Sequence, residues 1–259
     1  MTAAGSSPAA SARPVVLVHG AFHGAWCWAG LQAELDRRGI PSFAVELPGH
    51  GVSTEPLTDL HGDAGAVTRV LERLGTDDVV LVGHSYGGAV ISQADLSGQV
   101  SRLVYLAAIV PDAGEDPAAV MAAFPSPPKP APPAGSGSGG GAFFVRQPDG
   151  TLAADASRGP AVFYNTCTPA QTVAALARLC PQRAATFKQP LTRANWRTVP
   201  STYIKCLQDK AVPPAAQDQQ AERCSELVSI DTDHSPFLCA PATLADLLVP
   251  LARRHSRGA

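Results

Sequence analysis

Apolar runs alternating with amphipathic helical stretches constrain this chain more than any other feature. "PVVLVHG" (14–20) is β-branched, apolar and closed by a glycine. "AWCWAGLQAELDRRGI" follows with apolar residues at helical spacing, and Gly39 stands where a helix C-cap puts one. The order then repeats, with a strand at "PSFAVELPGHG" (41–51), a helix at "AGAVTRVLERLG" (64–75) and a strand at "DDVVLVGHS" (77–85). "GGAVISQADLSG" is again helical, and "VSRLVYLAAIV" (100–110) is a fourth strand. Strands that are apolar throughout have no solvated face. They predict an α/β fold whose central sheet is mostly parallel and covered by helices on both faces. A chain of 259 residues can bury one large core of this kind.

Composition then shifts. "FPSPPKPAPPAGSGSGGGAFF" (124–144) is Pro-rich, then Gly/Ser-rich, and suits a flexible or extended loop. The pattern is irregular from about 112 to 196, apart from a helix expected at "TPAQTVAALARLC" (168–180). It resumes with a strand at "STYIKCLQD" (201–209), a helix over 214–224, a strand at "ELVSIDTD" (226–233) and a last helix at "APATLADLLVPLARRH". The expected organisation is a disordered leader over 1–13, a core of 14–111 and 197–259, and a helical cap over 112–196 inserted after the fourth strand. The cap includes the flexible loop 125–141.

The net charge is −2 without a basic block, so nucleic acid is not an expected partner. No apolar stretch is long enough to span a bilayer. The start "MTAAGSSPAASARP" lacks the basic and apolar regions of a signal peptide, and a cytoplasmic protein is the default expectation. The six cysteines include no C-x-x-C pair, so neither a zinc site nor a redox motif is indicated. No P-loop, dinucleotide fingerprint or metal-ligand cluster occurs, and no cofactor is expected.

"LVGHSYGGAV" (81–90) carries the chemistry. Ser85 ends an apolar strand and precedes two glycines and a helix, the strand–turn–helix context of a G-x-S-x-G nucleophile elbow. A strained turn projects the hydroxyl while small neighbours avoid clashes. A serine needs a base and an acid that orients it, and in this arrangement the chain order is serine, acid, histidine. His234, just after a predicted strand, is the expected base; His255 falls in a polar tail. Asp209, at the end of "STYIKCLQD", is the expected acid, with Asp112 in "VPDAG" as competitor. Two backbone amides must face the developing oxyanion, and Tyr86 and Ala21 are the expected donors. Gly20, Phe22 and His23 beside that loop, and Phe163, Tyr164 and Trp196 in the cap, are candidate substrate contacts.

"VVLVHGAFHGAWCWAGLQAEL", "ELPGHG", "LVGHSYGGAV", "FYNTC", "STYIKCLQDKAVP" and "DHSPFLCAPATLADLL" together resemble the α/β-hydrolase superfamily over roughly residues 14 to 252. They are most similar to its branch of plant methylesterases of the salicylate-binding type, related bacterial carboxylesterases and hydroxynitrile lyases. The resemblance implies the same fold and the same roles for Ser85, His234, Asp209, Ala21 and Tyr86. Lyases of this branch carry threonine after the first-strand histidine and lysine after the catalytic histidine. Here those positions hold Gly20 and Ser235, which favours an esterase.

The expected activity is therefore that of a serine carboxylesterase acting on a small or medium hydrophobic ester, a methyl or aryl ester among them. A lyase-like or secondary-metabolite tailoring enzyme, an acyltransferase and a ligand-binding receptor with vestigial hydrolysis are the alternatives. A homodimer stays open.

Overall fold

The protein is described here from a computed structural model covering residues 12–124 and 143–253. The loop expected over 125–141, the leader up to residue 11 and His255 lie outside the described residues.

The first half alternates as its hydrophobic pattern requires. Strand β1 (Val15–Val18) leads through a 3-10 turn to helix α1 (Ala29–Arg37) and strand β2 (Ser42–Val45). Helix α2 (Leu60–Leu74) precedes strand β3 (Val79–His84), and helix α3 (Gly87–Gln93) precedes strand β4 (Val100–Leu106). Local chemistry sets the ends of α2. The Asp59 carboxylate accepts from the Gly62 amide at 2.9 Å, and Gly75 closes the helix in the left-handed region at φ 60°.

The stretch after β4 holds helix α4 (Pro117–Ala122), strands β5 (Phe144–Arg146) and β6 (Thr151–Ala154), and helices α5 (Gly159–Phe163) and α6 (Pro169–Leu176). A two-residue strand, β7 (Gln182–Arg183), completes a small antiparallel sheet in the order β5-β6-β7. This sheet joins the helices expected in the region. Its strands are too short for alternation to show in sequence. Helix α6 begins with a capping box between Thr168 and Gln171.

Strand β8 (Ser201–Cys206), helix α7 (Pro214–Ala221), strand β9 (Glu226–Ile230) and helices α8 (Pro236–Cys239) and α9 (Pro241–Ala252) finish the chain. The main sheet runs β2-β1-β3-β4-β8-β9, and every pairing in it is parallel. All residues of β1 and β3 are buried, which explains their unbroken apolar runs. One core, built around Val16, Leu81, Leu103 and Tyr203, lies on one face, with α2 and α3 supplying Val67, Leu71, Val90 and Ile91. The other face packs Leu17, Val82, Val104 and Ile204 against Trp28, Leu31, Leu35, Leu244 and Leu248 of the first and last helical segments. In a parallel sheet all strands end on one edge, where ligand crevices form. Residues 19–24, Ser85, Asp209 and His234 all follow strand ends at that edge. No helix among the described residues is long and apolar enough to cross a membrane.

Candidate active site

Ser85 leaves β3 with φ at 53°, a left-handed conformation that a non-glycine residue adopts only under tertiary constraint. Its amide donates to Leu106 O at 3.1 Å, and its carbonyl accepts from the Gly88 and Ile109 amides at 3.0 and 3.1 Å. The glycines around it permit close packing. A Cβ on Gly83 would fall 2.5 Å from Gly87 O, and one on Gly88 would fall 2.4 Å from Ile109 O.

His234 and Asp209 meet from the ends of β9 and β8. The His234 Nδ1–H donates to Asp209 Oδ2 at 2.7 Å, with both side chains buried. That bond leaves Nε2 as the acceptor, the tautomer a base needs. The carboxylate is itself held: Oδ1 accepts from the Ala211 and Val212 amides at 2.7 and 2.9 Å, and Oδ2 from Gln217 Nε2 at 3.1 Å. The competitor Asp112 has a different fate. It pairs with Arg197, whose guanidinium holds its carboxyl down to about 2.

The loop after β1 presses on the serine. A Cβ on Gly20 would stand 2.9 Å from both the Ser85 Cβ and His84 Nδ1. Two neutral imidazoles shape this loop by donating to its carbonyls, His19 Nδ1 to Gly20 O and His23 Nδ1 to Ala21 O, each at 2.9 Å. Burial holds His19 well below the usual imidazole range and brings His23 down to about 4. Phe22, at φ 67°, has its carbonyl bonded by the Cys180 amide at 2.9 Å. Among the described residues, the amides of Ala21 and Tyr86 donate to no protein group.

A cavity of about 340 Å³ opens over this edge. The core side of its lining includes Ala21, Phe22, His23, Ser85, Tyr86 and His234. Met121 of α4, Phe144 of β5, Leu152 of β6, Phe163 of α5 and Phe187 close it from the inserted segment. No aspartate or glutamate is among the described residues that line it.

Three candidate contacts fall elsewhere. Gly20 is not among the described residues that line the cavity, and a Cβ on it would meet Ser85 and His84. Tyr164 is buried behind His23 and donates its hydroxyl to His23 Nε2 at 2.8 Å. Trp196 is drawn away because its indole N–H donates to Pro111 O at 2.9 Å, and its ring lies under the Arg197 and Arg223 guanidinia.

Sequence reasoning missed two residues. His84 Nε2–H donates to the His234 carbonyl at 2.8 Å, tying the β3 end to the loop that carries the imidazole. Gln217 accepts from the Cys206 amide at 2.9 Å and donates to Val212 O at 2.7 Å as well as to Asp209. No local pattern marks either residue. The only hint in sequence is that His84 adjoins the serine.

The profile of the alpha/beta hydrolase family matches residues 15–247. The alpha/beta hydrolase nvfD of Aspergillus novofumigatus is 30% identical over 254 residues, covering 92% of this chain and 94% of that protein. Methylesterase 1 of Arabidopsis thaliana is 30% identical over 262 residues, covering 92% and 95%. Among solved structures, the methylesterase MES16 from Arabidopsis superposes with a TM-score of 0.72 at 26% identity, over 92% of this chain and 98% of that one. A pyrethroid hydrolase from Sphingobium faniae JZ-2 gives 0.74 at 25% identity, over 93% and 97%.

Proposed function

The chain belongs to the alpha/beta hydrolase family and is an esterase-type hydrolase; from that premise we propose that it cleaves carboxylic esters through Ser85, His234 and Asp209. The observation that carries this reading is the buried 2.7 Å bond from His234 Nδ1 to Asp209 Oδ2, with Ser85 and His234 lining one cavity.

In this mechanism His234 Nε2 accepts the Ser85 proton as Oγ bonds to the ester carbonyl carbon. Asp209 holds the ring and stabilises the imidazolium that forms. The free amides of Ala21 and Tyr86 face the oxygen as it gains negative charge. Collapse breaks the carbon–oxygen bond to the alcohol, which leaves with the proton from His234. Water then gives a proton to His234 and its oxygen to the acyl carbon. The acid departs, and the proton returns to Ser85.

The mainly apolar lining, which also includes Arg146 and Lys188, supports a small or medium hydrophobic acyl or aryl group, and about 340 Å³ lies within the range of small-molecule pockets, roughly 300–1,000 Å³. A methyl ester is the substrate class that the named methylesterases suggest. Met121, Phe144, Leu152, Phe163 and Phe187, which line the pocket, support reading the inserted segment as its cap.

A panel of p-nitrophenyl and methyl esters, assayed with wild type beside Ser85→Ala, tests the proposal. Turnover that the substitution abolishes supports it. Equal turnover by the two proteins, or release of cyanide from cyanohydrins without ester cleavage, overturns it.

A further inference from the structure

We propose that Cys167, Asp233 and Cys239 form a binding site for one thiophilic divalent cation of the zinc class. The site is separate from the serine chemistry and does not depend on it. It draws its ligands from three segments: Cys167 from the turn between α5 and α6, Asp233 from the loop after β9, and Cys239 from the last residue of α8. One ligand atom from each of the three lies within 4.8 Å of the other two. Cys239 Sγ stands 3.4 Å from Asp233 Oδ1. A tetrahedral zinc ion with Zn–S near 2.3 Å and Zn–O near 2.0 Å would separate neighbouring ligand atoms by about 3.5–3.8 Å, so little movement is needed.

The surroundings are those of a held ligand set. Asp233 is fully buried, and its carboxylate is oriented by two backbone amides, Ser235 N to Oδ1 at 2.9 Å and Thr166 N to Oδ2 at 2.7 Å. Once the Cys239 thiol that donates to Oδ1 is deprotonated, each oxygen keeps a lone pair for a metal, and such backbone bonds to a ligating carboxylate are the usual outer support of a metal centre. Both cysteines are half-buried, so the cluster is not sealed from solvent. Two thiolates favour zinc-like ions over magnesium or calcium. Binding replaces the two S–H bonds with two S–metal bonds and releases two protons to solvent. Two thiolates and one carboxylate then face a dication, leaving one net negative charge at the site.

The cation would join two parts of the molecule that hydrogen bonds already connect. Thr166 and Asp233 exchange contacts, the Asp233 amide donating to Thr166 Oγ1 at 3.3 Å. Asp233 directly precedes His234 in the chain. A bound ion therefore staples the turn before α6 to the loop that carries the proposed base, and stabilises the folded protein by binding it alone.

The test uses the full-length protein reduced with a phosphine and supplied with Zn2+ or Co2+ alone. The expected results are about one equivalent of Zn2+ retained through gel filtration, a near-ultraviolet thiolate-to-cobalt band with Co2+, and a Tm that rises with Zn2+. Cys167→Ser and Cys239→Ser each remove all three responses. In wild type, Zn2+ also protects Cys167 and Cys239 from alkylation, read by mass spectrometry, so the site is located even if a variant folds poorly. No retained Zn2+, a cobalt band that survives both substitutions, or protection confined to other cysteines overturns the proposal.

Discussion

A Cβ on Gly20 would stand 2.9 Å from the Cβ of Ser85, so the loop after β1 approaches the proposed nucleophile as closely as a backbone can. The same added carbon would meet His84 Nδ1 at 2.9 Å, and His84 anchors the His234 carbonyl. Gly20 thus sets the spacing between the elbow and the amide of Ala21.

Gly20→Ala is expected to lower kcat/KM for any ester that wild type cleaves by about a hundredfold, because a shift of about 1 Å between reacting groups has that effect. Circular dichroism should show the fold retained. Full activity in a folded Gly20→Ala protein would mean that this loop does not shape the oxyanion site.

Asp209→Asn preserves size while putting an amide N–H within reach of His234 Nδ1. The imidazole would then hold its proton on Nε2 and could not accept one from Ser85. Activity should fall by about four orders of magnitude, as expected for loss of the correct tautomer. Asp112→Asn should leave it unchanged, since Asp112 pairs with Arg197. Equal losses in the two variants would refute the assignment of the acid.

Stability should decline on acidification below neutrality. Burial keeps His23 neutral down to about 4 and lowers His19 and His84 in the same direction, whereas the unfolded chain takes up these protons near 6.5. The stability is complete above about pH 6.5, where neither state is protonated, and is lost as pH falls toward the folded values. His23 alone contributes a slope of about 1.4 kcal/mol per pH unit across that window. Asp63, whose carboxyl burial raises, acts in the opposite direction. Urea midpoints compared at about pH 7 and about pH 5 check this, and equal midpoints would contradict it.

Met121 lines the cavity from α4. Met121→Trp should fill part of its volume and reduce kcat/KM for bulky aryl or long-chain esters by about tenfold or more, while an acetate ester is spared. A loss of one methylene-sized contact already changes discrimination by roughly 10–200-fold. An unchanged chain-length profile would place the acyl group elsewhere.

Local pattern carried much of this molecule. The unbroken apolar runs at Val15–Val18 and Val79–His84 announce strands buried on both faces, and the glycines around Ser85 announce a sharp turn, because both depend on neighbours a few residues apart. Expecting Ser85 and Asp209 at the ends of strands and His234 just after one rests on the same signals, and the three follow β3, β8 and β9. What the strand order β2-β1-β3-β4-β8-β9 brings together had no local sign. Gln217 reaches Asp209, His84 reaches the His234 carbonyl, and Cys167 approaches Cys239 only once the sheet is assembled. Tyr164 and Trp196 carry the same lesson in reverse. Aromatic character suggested the cavity, but a buried hydroxyl or indole N–H must find an acceptor, and His23 Nε2 and Pro111 O decided where each ring points. Sequence determined which segments must be buried and where the chain must turn, since periodicity and steric need are local. Tertiary structure decided which polar atoms meet, since each must be satisfied by whatever partner the packed sheet brings within reach.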